Sequence, residues 1–163
     1  MVSLRCTRRL LKKLRESPQD SLPEPENRLG DWYANVLNIG RHRLVLATSE
    51  RTLLSVVVPI KDGPRLRQRI QDSAFDLLIR IGVPDSVAAS EVEGIHQMPF
   101  GTTASRSVLG SMNDFAVAAD HYFRSGRSVV YLSELEMFLA STPCGPLEYR
   151  YPSEAARGAL GVP

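Results

Sequence analysis

The sequence predicts an α+β protein in which helices pack against an antiparallel sheet. Three apolar, partly β-branched segments follow one another between residues 31 and 59, separated only by "GR" and "SER". This pattern is typical of a three-strand meander. On both sides of it, apolar residues recur at helical spacing. We therefore expect an antiparallel sheet of about four to six strands with helices packed against it.

The N-terminal segment predicts a short strand followed by a helix. Apolar and polar residues alternate over residues 2–6, as in a strand with one buried face. Thr7 suits the N-cap of the helix that follows, in which Leu10, Leu11 and Leu14 form an apolar stripe. Residues 17–27 are polar and rich in proline, which predicts a loop.

The middle of the chain supplies the meander and two further helices. Its third segment, residues 52–59, is apolar on both faces, so we expect this strand at the centre of the sheet. A helix over residues 63–81 has Pro64 in its first turn and ends at Gly82. A short helix capped by Asp85 and an extended segment over residues 96–103 are expected next.

The C-terminal third predicts helices alternating with two strands. A long helix spans residues 105–124, and residues 127–132 have the pattern of a strand. Ser133 and Glu136 have the spacing of a capping box, which predicts a helix start. Residues 147–151 are expected to form a last strand. We expect a single α+β domain over residues 1–152 and a loosely held tail over residues 153–163.

Composition narrows the class of protein. The 163 residues suit one domain that can fold without a metal or a disulfide. No apolar run approaches the roughly 18 residues of a membrane span, and no apolar segment of a secretory signal follows the basic N-terminus. Cys6 and Cys144 form no metal-ligand motif, so we expect no metal site and no cofactor. We therefore expect a cytoplasmic protein in which both thiols are reduced.

Four segments together carry a resemblance to a known family. They are "LRCTRRLLKKL", "LGDWYANVL", "RSVLGSMNDF" and "STPCGPL". They resemble an uncharacterised bacterial family, domain of unknown function 6933, from about residue 3 to residue 147, and "RSVLGSMND" is the most specific segment. The resemblance implies a bacterial, cytoplasmic setting among the accessory genes of mobile DNA. It transfers no catalytic residues.

The segment "RSVLGSMNDF" raises the question of whether its polar residues do chemistry. Apolar residues at helical spacing form its buried stripe, and the polar residues border that stripe, so we expect them to form one connected, largely buried network. Gly110 costs about 1 kcal/mol against Ala inside a helix, which predicts a main chain or a ligand close to it. Arg106 would then bind a phosphate or carboxylate, and Asn113 or Asp114 would orient the ligand. The structural alternative is that the same residues only pair with neighbouring elements.

The segment "GDWYAN" adds a second group of candidates. Asp31 is either a general base or the cap of a turn. Trp32 and Tyr33 point to opposite faces of their strand, so one of them could be exposed and stack on a base. The complete set of candidate ligand-binding residues is Arg5, Asp31, Trp32, Arg106, Ser107, Gly110, Asn113 and Asp114.

Cations cluster unevenly in a chain whose net charge is only +2. They surround the leucine stripe of the first helix and recur at the tip of the first hairpin, where Arg41, His42 and Arg43 are consecutive. If these cations converge on one side, they form a nucleic-acid footprint; otherwise they are ordinary solvated side chains. The candidate nucleic-acid contacts are Arg8, Arg9, Lys12, Lys13, Arg41 and Arg43.

Two classes of function stay open from the sequence. The first is an accessory binding protein of bacterial mobile DNA, such as a toxin–antitoxin component, whose partner is nucleic acid or a protein. The second is a small metal-independent enzyme, such as a nuclease, with a pocket at Arg106, Asn113 and Asp114. The sequence identifies no catalytic residue and no oligomeric state.

Overall fold

The structure, a computed structural model, describes residues 1–125 and 131–163, except the side chain of Asp62. At its centre lies a five-stranded sheet in the order β4-β3-β2-β1-β5. The strands are β1 Leu4–Cys6, β2 Trp32–Ile39, β3 His42–Ser49, β4 Ser55–Pro59 and β5 Phe100–Thr102. The α-helices of the described residues are α1 Arg8–Leu14, α2 Leu66–Arg80, α3 Asp85–Val92, α4 Arg106–Arg124, α5 Leu132–Ala140 and α6 Pro152–Ala159. Short 3-10 helices span Ile60–Arg65, Ile95–Gln97 and Gly145–Leu147.

The protein is α+β as expected, but its sheet is mixed rather than purely antiparallel. The meander of β2, β3 and β4 is confirmed, with antiparallel pairing throughout. β1, in contrast, runs parallel to both β2 and β5, so that Arg5 lies beside Tyr33 on one side and Gly101 on the other. The connections explain the difference, because α1 and a long loop carry the chain back across the sheet before β2 begins.

Helices cover both faces of the sheet. Alternate residues of the strands, among them Leu4, Trp32 and Val56, join a core that includes the apolar sides of α1, α2 and α3. The opposite set, among them Leu37 and Val57, packs against α4 and α5 in a second core. This two-sided burial follows from the period of two in a strand combined with apolar residues on both of its faces.

β4 is covered on both faces, as its composition predicts, but it is an edge strand rather than a central one. Exposed strand edges invite pairing with other chains, and they are commonly blunted by proline or charge. Here Pro59 has no N–H to offer, and a carboxylate oxygen of Glu136 accepts the N–H of Val57 at 2.9 Å. A strand with two buried faces can therefore lie at the edge, where Glu136 satisfies the N–H of Val57 and Pro59 has no N–H.

Of the three predicted capping residues, Thr7 is confirmed, whereas Asp85 and Ser133 are not. α3 begins at Asp85 itself after Pro84, and no side chain caps it. Ser105 caps α4, although only the helix was predicted there. Thr7 accepts the N–H of Leu10 at 3.3 Å, and Ser105 accepts that of Val108 at 3.2 Å. α5, however, begins at Leu132 after Tyr131, and no side chain caps it. The predicted capping box was wrong because Glu136 turns towards β4 instead. Of the strand predicted over residues 127–132, residues 126–130 lie outside the described residues, and Leu132 belongs to α5.

The C-terminal predictions were wrong in two places. The segment predicted as a last strand, residues 147–151, is a turn in which Glu148 and Tyr149 have positive φ angles of 55° and 63°. The tail predicted as loosely held forms α6, which buries Ala155 and Ala156, and Leu160 is buried beyond it. Ala156 and Leu160 belong to the core that includes α1, α2 and α3, and Ala155 belongs to the core on the opposite face of the sheet. Among the described residues, none of the helices has both the length and the apolar character of a membrane span.

Candidate nucleic-acid interface

The tip of the β2–β3 hairpin presents three consecutive polar side chains to solvent. Arg41, His42 and Arg43 are all exposed. The turn depends on Gly40, whose φ of 56° favours glycine and whose Cβ position lies 2.8 Å from the ring of Phe123 in α4. His42 meets the same ring edge-on at 6.1 Å between centroids. The hairpin tip is therefore held against the C-terminal end of α4.

Arg41 and Arg43 open onto a groove that a third cation also lines. We call it the basic groove; its volume is about 470 Å³, and its walls are Arg41, His42, Arg43, Leu44, Pro59, Ile60, Lys61 and Leu132. The antiparallel register explains the convergence, because Leu44 near the start of β3 pairs with Pro59 at the end of β4. No carboxylate belongs to this set of described lining residues. The described side chains of the groove thus bring three positive charges together, those of Arg41, Arg43 and Lys61.

The N-terminal helix contacts the segment that carries Lys61. Leu10 and Leu11 are buried against the sheet. Leu14, at the end of α1, lies against Gly63, since a Cβ on Gly63 would be 3.7 Å from the Leu14 Cδ2. The four remaining cations proposed from sequence, Arg8, Arg9, Lys12 and Lys13, are exposed on α1. The structure therefore connects this helix to the segment beside the basic groove.

The arginines of α2 have separate roles. Arg67 stacks over the ring of Phe100 at 4.8 Å and donates to the carbonyl of Met98 at 2.6 Å, so it fastens α2 to the segment around β5. Arg69 and Arg80 line a second groove, about 720 Å³ in volume, that follows the outer edge of β4 between α2 and α5. We call this the edge groove.

Glu136 lies in the wall of the edge groove and is only 3% exposed. One of its carboxylate oxygens accepts the Val57 N–H, and the other accepts a hydrogen bond from Arg80 at 2.7 Å. Arg80 also donates to the Ser133 carbonyl at 2.8 Å. Burial raises the pKa of Glu136 above its usual value, and the hydrogen bonds from Val57 and Arg80 oppose this only in part. This group of contacts joins α2, α5 and the edge of the sheet.

Arg5 and Asp31 meet on the sheet, at the start of β2. The Arg5 Nε lies 3.0 Å from one Asp31 carboxylate oxygen, and the other accepts the Ser3 N–H at 2.8 Å. Arg5 also donates to the Thr102 carbonyl at 3.1 Å, which ties β1 to β5. Asp31 is 1% exposed and has partners for both of its oxygens. These contacts give the pair a structural role, namely fixing the three parallel strands at this end.

Glu50 lies beside this pair. Its N–H donates to the Asp31 carbonyl at 2.9 Å, which extends the β2–β3 ladder by one position. Burial raises the pKa of the Glu50 carboxyl, and the negative charge of Asp31 adds to the shift. Gly30 leaves space for the Glu50 side chain, which would lie 2.5 Å from a Cβ at that position.

The polar residues of "RSVLGSMNDF" do not form the expected buried network. Arg106, Ser107, Gly110, Asn113 and Asp114 are all exposed on α4. Nothing lies within 4 Å of a Cβ placed on Gly110, so neither a main chain nor a side chain approaches it. The apolar stripe packs on the sheet as expected, but no neighbouring element covers its polar border. Arg106, Asn113 and Asp114 line neither the basic groove nor the edge groove. An enzyme site at these residues stays a prediction.

The aromatic pair after Asp31 is buried rather than exposed. Trp32 and Tyr33 point to opposite faces as expected, yet they are only 1% and 2% exposed. Tyr33 accepts the N–H of Ser105 at 3.1 Å and so holds the start of α4. The expectation that one of them could stack on a base is wrong, because helices cover both faces of β2.

Both cysteines are buried thiols. Cys6 is 1% exposed, and burial raises its pKa to about 12. Cys144 is 6% exposed, and burial raises its pKa as well, assisted by the negative charge of Asp114. Neither has the lowered pKa of a reactive thiolate. Among the described residues, no group of three or more His, Cys, Asp or Glu side chains is arranged to hold a metal ion.

Two residues of the grooves were missed from sequence. Lys61 had a usable signal, since a meander brings the end of its third strand beside its first turn. The sequence signal at Glu136 was misleading, because its spacing from Ser133 is that of a capping box, which α5 does not have.

The fold and the grooves define an α+β protein with a mixed sheet and a basic groove at the hairpin end of that sheet. The chain belongs to the family described as Domain of unknown function (DUF6933), whose model matches residues 3–155. Neither the curated proteins nor the solved structures contain a match to the chain.

Proposed function

We propose that this protein binds nucleic acid and holds its phosphates in the basic groove. The observation that supports the proposal is the convergence of Arg41, Arg43 and Lys61 on one groove with no carboxylate among its described lining residues. Arginine and lysine are the side chains that bind phosphate most strongly, and arginine can do so with two hydrogen bonds at once. An accessory protein of mobile DNA, the setting that the family resemblance implies, would meet such a partner.

The charge is arranged for a local contact with a polyanion. The whole chain carries a net charge of only +2, so attraction over the entire surface is weak. The three cations of the groove and the four of α1 are exposed, and they need little desolvation to meet a phosphate. A partner would therefore contact the hairpin, the 3-10 helix and α1 rather than the molecule at random.

A binding assay with matched variants tests this proposal. The double substitution Arg41→Gln/Arg43→Gln should weaken binding of a fluorescein-labelled single-stranded 12-mer by about tenfold or more at about 50 mM salt, as measured by fluorescence anisotropy. Arg28→Gln is the control, because Arg28 is exposed and lies far from the basic groove. The carbonyl of its neighbour Leu29 accepts the Arg51 N–H just beyond the end of β3 that is opposite to the hairpin tip. That end lies about 24 Å from the start of β3.

The control should bind within about twofold of the unmodified protein. The proposal is wrong if the unmodified protein binds no oligonucleotide at this salt concentration. It is also wrong if the double variant binds as tightly as the control.

A further inference from the structure

The basic groove continues into the edge groove. Pro59, Lys61 and Leu132 line both of them, so the two form one channel past the end of β4. The channel changes character along its length. Beyond Lys61 its walls include apolar side chains, among them Phe75 and Ile79, together with carboxylates and two arginines.

Two of those carboxylates are available for a ligand. Asp76 and Asp85 are exposed, and neither is hydrogen-bonded or ion-paired with a side chain that the structure describes. Glu136 differs, because its two oxygens are already bound to Val57 and Arg80. A phosphate is repelled by free carboxylates, so the backbone of a nucleic acid would remain on the Lys61 side. Arg69 and Arg80 also line the edge groove, so its charges of both signs offset one another. An uncharged, partly apolar ligand that donates a hydrogen bond to a free carboxylate fits such a groove.

An unpaired nucleobase meets these requirements. Its face packs on apolar side chains, and an exocyclic amino group donates to a carboxylate, as cytosine N4 does to Asp or Glu. In a duplex the Watson–Crick edges are already paired, so only a single strand can insert a base in this way. The volume of about 720 Å³ is in the range of small-molecule sites.

We propose that the edge groove receives an unpaired base of a single strand whose phosphates lie in the basic groove, and that Asp76 selects bases with an exocyclic amino group. This inference rests on the proposed function and adds to it the form of the nucleic acid and a base preference. Asp76 projects from α2 into the groove and so is the residue to alter first.

The test compares labelled dC12 with dT12 at neutral pH. The two oligonucleotides have the same backbone and similar rings, but only cytosine carries an amino group at the position where thymine has a carbonyl. The unmodified protein should bind dC12 at least about fivefold more tightly than dT12. Asp76→Asn should remove most of that difference, because an amide can also donate to the thymine carbonyl. Asp72→Asn is the control, since Asp72 is exposed one turn earlier in α2 and pairs with Gln68.

The outcomes separate this inference from the function on which it rests. Equal binding of dC12 and dT12 by the unmodified protein overturns the base preference, whatever the variants do, and leaves phosphate binding standing. A preference that Asp76→Asn does not reduce, or a duplex bound as tightly as either single strand, also overturns it. Failure to bind any oligonucleotide at low salt overturns both proposals.

Discussion

Gly110 is a residue whose environment the sequence could not supply. Its cost inside a helix predicts a close neighbour, yet the space around it in α4 is open. The periodicity of α4 correctly gave the stripe that faces the sheet, including Val108, Met112 and Phe115. Periodicity fixes directions on one helix, but whether another element covers the border of the stripe depends on the whole topology. The prediction that the polar residues beside Gly110 form a buried network was therefore wrong.

The open surroundings of Gly110 lead to a prediction about stability. Gly110→Ala should stabilise the protein by about 0.5–1 kcal/mol and raise the midpoint of a thermal melt, because Ala loses less backbone freedom in a helix. Gly40→Ala is the opposite case and should lower the midpoint, since Gly40 has a positive φ and Phe123 occupies the Cβ position. A lower midpoint for Gly110→Ala would show that something does approach this face of α4.

At the scale of elements, the sequence correctly predicted features that depend on neighbouring residues. It did not predict which distant strands pair with one another. The cap at Thr7 and the meander from β2 to β4 depend on neighbouring residues, and both were predicted. The parallel placement of β1 between β2 and β5 depends on long-range pairing that a three-residue strand does not encode. β4 was expected at the centre because apolar residues on both faces of a strand indicate that both faces are buried. They do not indicate whether another strand pairs with each of its edges. Its edge is satisfied by Glu136, 79 residues away in sequence.

Glu136 makes the stability of this edge depend on pH. Its pKa is raised in the folded protein, so the folded state holds the proton more tightly than the unfolded chain does. The free energy of unfolding should therefore decrease as the pH rises from the ordinary value of 4.5 through the raised pKa. Glu136→Gln, which does not titrate, should reduce this decrease. Glu50 acts in the same direction, so some of the decrease should remain.

Thermal melts between about pH 4 and pH 7 measure this effect. The melting temperature of Glu136→Gln relative to the unmodified protein should increase across the interval. Glu24→Gln, in the exposed loop before β2, is the control and should run parallel to the unmodified protein. A Glu136→Gln curve that also runs parallel would mean that Glu136 does not titrate in this interval.

At the scale of the whole molecule, the topology turns dispersed cations into one surface. Arg41 and Arg43 were candidates from sequence, but only the antiparallel register brings Lys61 beside them. The other candidates were divided differently, since Arg5 and Asp31 became a structural pair and Trp32 became core. Sequence supplied the residue types, and the fold decided which of them share a groove.

The salt dependence of binding tests the central claim most directly. For single strands, the logarithm of the binding constant falls with the logarithm of salt concentration by about 0.7 for each phosphate neutralised. Contacts from Arg41, Arg43 and Lys61 alone therefore predict a slope of about −2, and contacts from α1 would make it steeper. Arg41→Gln/Arg43→Gln should make the slope shallower by about 1.4. A slope near zero for the unmodified protein, or the same slope for both proteins, would contradict phosphate binding in the basic groove.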